Sequence, residues 1–93
     1  MFVGIVRVEL HVPGATSLKD KRAVVRSLKD RIQSRLAAAV AEVDHQDLWQ
    51  RAVLGVAVVS GERRHVTELL QAVRGIIDSR PDAVVIDWQE QHV

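Results

Sequence analysis

The chain contains no cysteine, no tyrosine and no asparagine, and its only aromatic residues are Phe2, Trp49 and Trp88. Without cysteine there is neither a disulfide framework nor a thiolate site, and a reducing compartment is permitted. No apolar run approaches the roughly 20 residues that span a bilayer. The opening MFVGIVRVEL is interrupted by Arg7 and Glu9 and carries no signal-peptide pattern, so a cytoplasmic location without a membrane partner is expected. The histidines His11, His45, His65 and His92 stand singly, with no H-x-x-x-H or H-E-x-x-H spacing. No metal and no cofactor are expected. No serine sits in a nucleophile elbow. The sequence holds no catalytic signature, and a non-enzymatic role is expected.

What is present is an ordinary globular composition. Of 93 residues, 47% are apolar, enough for one two-layer core and too few for two, so residues 1–93 are expected to form a single domain. The net charge of +1 hides an asymmetry. Between Ser17 and Ala37 lie seven basic residues (Lys19, Lys21, Arg22, Arg26, Lys29, Arg31, Arg35) against Asp20 and Asp30, a balance of +5. The rest of the chain carries six basic and ten acidic residues, or −4. Such a distribution bears on partners rather than on fold.

Residues 2–12 alternate. Phe2, Gly4, Val6, Val8, Leu10 and Val12 form one apolar face, and Val3, Ile5, Arg7, Glu9 and His11 a mixed one, which predicts a strand. Pro13-Gly14 ends it. Ser17 is a suitable helix N-cap, with Asp20 three residues on as a shortened capping box. Leu18, Val25, Leu28, Ile32 and Leu36 then recur at helical spacing, predicting a helix over 18–36. Ala38–Val43 reads as a short strand and Asp44–Asp47 as a polar turn. LWQRAVLGVAVVS, from Leu48 to Ser60, reads as a long central strand. A second helix starts at Ser60-Gly61-Glu62, with Val66, Leu69, Leu70, Val73, Ile76 and Ile77 as its buried stripe, and Pro81 lies past its end. Val84 to Gln89 alternate in a last strand, and the terminal QEQHV reads as frayed or as an edge. The economical assembly is an α+β sandwich of order βαββαβ: a four-stranded antiparallel sheet, strand order 4-1-3-2, with two helices on one face.

The stretches VRVELHVPGATSLKDKR, AEVDHQDLWQRAVLGVAVVS and RRHV resemble the YlxP-like family of small, uncharacterised bacterial proteins, over nearly the whole chain. The resemblance implies a ferredoxin-like fold and no established enzyme activity. Genes of that family tend to lie among those for translation and ribosome maturation, which implies a role near RNA or the ribosome and names no site residue. The family's turn is usually Pro-Gly-Ala followed by Arg or a similar residue. Thr16 stands there in this chain and removes one cation from the turn.

Four constellations carry possible chemistry. At 100° per residue, Lys19, Arg22, Arg26 and Lys29 fall within an arc of about 80°, a ladder suited to nucleic-acid phosphates or, alternatively, a solvated face paired with Asp20 and Asp30. The start of the first helix, with Ser17, Lys19 and Lys21, is a weaker candidate for a phosphate or small anion, as in an enzyme using the 13–22 turn, since Ser17 and Asp20 already serve that helix end. DHQDLWQR, residues 44–51, offers His45 beside two carboxylates as a base or ligand, or simply a solvated hairpin turn. In it Trp49 would pack at the hairpin base or in a subunit contact. Last, the uncovered sheet parity offers Val3, Ile5, Val53, Ala57 and Val59 as an apolar patch for a two-fold homodimer, with Arg7 and Glu9 fixing register. That face has no aromatic residue, so base stacking across the sheet is not expected, nor is any reading of DNA sequence. The acylphosphatases that share this architecture need an Asn, and this chain has none. The expectation is an RNA- or ribosome-associated protein working through its basic helix, with a structural or interaction protein that self-associates through its open sheet face and binds no nucleic acid as the rival.

Overall fold

A computed structural model describes all 93 residues. Strand β1 (Phe2–His11) leads through a Pro-Gly turn into helix α1 (Leu18–Leu36). Strands β2 (Ala39–Asp44) and β3 (Arg51–Ser60) form a hairpin, and helix α2 (Arg63–Asp78) and strand β4 (Val84–His92) complete the chain. The sheet is antiparallel throughout, in order β2-β3-β1-β4, the expected 4-1-3-2 read from its other edge.

The even-numbered face of β1 supplies Val6, Val8 and Leu10 to the core, opposite Val56, Leu54 and Ala52 of β3. Val25, Leu28 and Ile32 of α1 and Val66, Leu70, Val73, Ile76 and Ile77 of α2 close over them. Helix α1 lies over β2 and β3, and α2 chiefly over β1. Leu69, expected in the core, is half-buried at its margin. Gly4 is the one position on this face where a side chain would not fit: a Cβ there would fall 2.5 Å from Val66 Cγ1 and 2.9 Å from Leu70 Cδ1. Its absence lets α2 sit down on β1.

Ser17 caps α1 as expected, accepting from the Asp20 N–H at 3.1 Å. Asp20 does not close a capping box on Ser17. Its Oδ2 instead accepts from the Thr16 backbone N–H and hydroxyl, at 3.1 and 2.7 Å. At the other end Ala37 turns left-handed (φ 49°) and donates to Gln33 O. Other boundaries shift, and β2 runs one residue later than expected, from Ala39 to Asp44. β3 begins at Arg51, so Leu48 and Trp49 belong to the hairpin loop 45–50. α2 starts at Arg63, after a Glu62 cap whose side chain makes no capping bond. β4 runs on to His92, because Glu90 to His92 pair with Gly4 to Val6 and Val93 exchanges two hydrogen bonds with Val3.

Candidate nucleic-acid interface

The cations of the chain divide into two populations. Outside α1 there are six arginines. Arg7, Arg51, Arg64, Arg74 and Arg80 pair with Asp44, Glu9, Glu68, Asp78 and Asp82, and Arg63 covers the Phe2 ring. On α1 only Lys21 forms an ion pair; Lys19, Arg22, Arg26, Lys29, Arg31 and Arg35 form none. Asp20, one of the two acids that would neutralise the row locally, is engaged by Thr16, and its carboxyl is held below the ordinary value chiefly by that hydroxyl. Asp30 forms no ion pair.

Arg22, Arg26 and Lys29 stand on the flank of α1 that faces the open edge of β2. With Val25, Asp30 and Glu42 they line a groove of about 440 Å3 between helix and strand. Lys19 continues the row at its N-terminal end and is exposed. The spacing that put these four residues on one arc therefore brings three of them into one groove.

Lys21 is not part of that surface. Its side chain is fully buried, and Nζ donates to the carbonyls of His45 (2.7 Å) and Gln46 (3.2 Å) and lies 3.0 Å from Glu42 Oε2. The contact with Glu42 lacks hydrogen-bond geometry, and Oε2 has no other partner. Lys21 thus ties α1 to the hairpin and is not available to an anion. The signal was in the spacing: Lys21 is in line with Val25, Leu28 and Ile32, and Glu42 shares the inward parity of Val40.

The helix start offers an anion little else. Ser17 is spent as a cap, which leaves Lys19. The adjacent cavity, about 380 Å3, is lined by Val12, Pro13, Ala15, Val24 and Pro81, and its charged members are Asp20 and Asp82. Asp82 is held ionised by two hydrogen bonds from Arg80. With two acids and no cation in its lining, this cavity repels phosphate.

In the hairpin, His45 adopts a left-handed backbone (φ 59°), with its ring nitrogens 3.8 Å from Glu9 and Asp44 carboxylate oxygens. No group of three potential ligands surrounds it. Trp49 does not pack at the hairpin base; it is 57% exposed in the loop.

On the sheet face away from the helices, Ile5 and Val59 are exposed, Val3 and Ala57 are half-buried, and Val43, of the same parity as Ala39 and Ala41, joins them over Gly55. Ile5, Ala39, Ala41, Val43, Gly55 and Ala57 line a shallow apolar groove there. Val53, expected in the same patch, is fully buried. Its register partners are Glu9 and Asp44, whose ion pairs with Arg51 and Arg7 lie across that end of the face. Arg7 and Glu9 are therefore committed within the chain.

Strand order, connection and helix placement define a ferredoxin-like α+β protein. A solved structure of similar shape is the solution structure of a de novo designed protein, LFR1 1, with ferredoxin fold: TM-score 0.56 at 12% identity, over 100% of this chain and 84% of that one. Residues 3–90 match the family described as "Protein of unknown function (DUF503)", and the chain belongs to that family. It is 38% identical over 80 residues to the uncharacterized protein YlxP of Bacillus subtilis (strain 168), covering 86% of this chain and 87% of that protein. No helix is long and apolar enough to cross a membrane.

Proposed function

We propose that the chain binds RNA, free or in a ribosomal particle, through the phosphate backbone along α1, and does so without catalysis. The observation that carries this reading is the contrast between the two cation populations. A surface that evolved only for solubility has no reason to pair five of the six arginines outside one helix and leave six of the seven cations on that helix without an ion pair. Unpaired Arg and Lys beside a groove release counterions when phosphates replace the solvent around them, and that release supplies most of the affinity for a polyanion. Lys19, Arg22, Arg26 and Lys29 contact phosphate in this reading, and the contact carries no sequence information.

The test is co-sedimentation with ribosomal particles at two salt concentrations. Retention at low salt, release at high salt, and weaker retention of the Arg22→Gln/Arg26→Gln variant are expected. Absence from the particle fraction at both concentrations, together with no binding of free RNA at low salt, would overturn the proposal.

A second reading is self-association through the open sheet face, favoured by Ile5, Val43 and Val59, which expose 39%, 50% and 61% of their surface on one face. It leaves α1 outside the contact, so the two readings are compatible.

A further inference from the structure

We infer that the RNA bound along α1 is single-stranded and that one of its bases stacks on Trp49; this rests on the proposed function. The three aromatic rings are not equivalent. Arg63 lies over the Phe2 ring at 5.2 Å and Arg74 over the Trp88 ring at 5.3 Å, and both rings are partly packed against the core. Trp49 has no such cover and is 57% exposed, beside Leu48 at 41%.

The loop that carries Trp49 is firmly held. Lys21 Nζ binds the carbonyls of His45 and Gln46, and the Leu48 N–H returns to His45 O at 3.1 Å. Next to Trp49, the Gln50 side chain donates to Pro13 O (3.3 Å) and Ala15 O (3.0 Å), while Gln50 O accepts from the Val12 N–H. An apolar indole on a loop whose neighbouring backbone is already hydrogen-bonded is a stacking platform that leaves chiefly its own two side-chain torsions to be ordered.

The same bonds fix where the platform stands. They tie the loop to the segment 12–21 and so set it beside the N-terminal end of α1, the end at which Lys19 and Arg22 open the unpaired row. From Lys19 to Lys29 the helix rises about 15 Å, room for a few nucleotides of backbone leading away from the stacked base. A stacking ring at the head of a cationic track is how sequence-tolerant single-strand binders are built. A duplex keeps its bases stacked within the helix and offers the indole nothing. A second copy of this chain is a poor occupant, because a two-fold contact at this corner would bring two rows of unpaired cations together.

The experiment compares a 12-nucleotide oligouridine with a 12-base-pair RNA duplex, each titrated into the full chain at low salt. Binding is followed by anisotropy, and the two indole N–H resonances by NMR. Oligouridine is expected to shift the Trp49 resonance well beyond that of Trp88. Trp49→Ala is expected to weaken oligouridine binding about tenfold or more, and Trp49→Phe to retain most of it. Duplex affinity is expected to be the same for the wild type and Trp49→Ala. Oligouridine binding with an unmoved Trp49 resonance and an unchanged Trp49→Ala affinity would overturn the stacking and leave the proposed function standing. Failure of both RNAs to bind would overturn both. A Trp49→Ala chain that loses self-association while keeping its RNA affinity would reassign the indole to a protein contact and overturn the inference.

Discussion

Lys21 Nζ and Glu42 Oε2 lie 3.0 Å apart between α1 and β2, the lysine completely shielded from solvent and the glutamate side chain 17% exposed. The ammonium also holds two loop carbonyls, so one charge joins a helix, a strand and a hairpin loop. Lys21→Met removes the cation and leaves Glu42 and both carbonyls without it. A loss of about 3–5 kcal/mol in urea unfolding is expected, together with faster amide exchange across residues 45–50. A loss within about 0.5 kcal/mol would mean that Lys21 holds nothing together.

The core gives a sharper test of helix placement. Leu28 is fully buried beneath α1, and Leu28→Ala is expected to cost about 2–5 kcal/mol. Gly4→Ala adds a single methyl group where Val66 and Leu70 leave no room, and is expected to cost about 1–3 kcal/mol although alanine suits a strand better than glycine. A stabilised Gly4→Ala chain would place α2 elsewhere.

Acid should destabilise the fold through three carboxyls held below their ordinary values: Asp20 by Thr16, Asp82 by Arg80, and Glu90 by His92 and Trp88. Each lowered value means that the unfolded chain takes up its proton first. The stabilisation is complete above the ordinary carboxylate values, near 4, and is lost as pH falls through the lowered native values. Urea midpoints at about pH 6 and about pH 3 are expected to differ, and Asp82→Asn to narrow the difference. An unchanged difference in Asp82→Asn would remove Arg80–Asp82 from the explanation.

Self-association is read by sedimentation at micromolar concentration. The exposed Ile5, Val43 and Val59 predict a dimer, and Ile5→Glu, which puts a charge into that patch, predicts a monomer. A wild-type monomer, or a dimer indifferent to Ile5→Glu, would remove this interface.

The architecture was legible because its signals are local. Parity along residues 2–12 and the spacing of Val25, Leu28 and Ile32 each follow from one element meeting one core. The residues 18–36 of α1 were readable from the Ser17 cap at one end and the loss of periodicity after Leu36 at the other. Legibility failed where an interaction crosses between elements. Lys21 reads as a surface cation by type and as a core position by spacing, and only the approach of Glu42 and two loop carbonyls resolves the conflict. Val53 reads as exposed because it points away from the helices, yet paired charges from three strands lie around it. Leu48 and Trp49 extend an apolar run that reads as strand, but Gln50 is held by the 13–15 turn, and pairing with β1 begins only at Arg51. The candidate interface was half legible: the four-residue row could be placed on one arc, while its lack of ion pairs depended on where every acid folded.

Whether the unpaired row on α1 holds RNA phosphates is decided by the salt dependence of RNA affinity, measured for the wild type and for Arg22→Gln/Arg26→Gln. A steep fall in affinity with rising salt is expected for the wild type. The variant should show a smaller slope, by roughly 0.7–0.9 for each phosphate it no longer neutralises. Its thermal stability should be unchanged, because neither arginine is paired within the chain. Binding that ignores salt, or identical slopes for the two proteins, would contradict phosphate binding along α1.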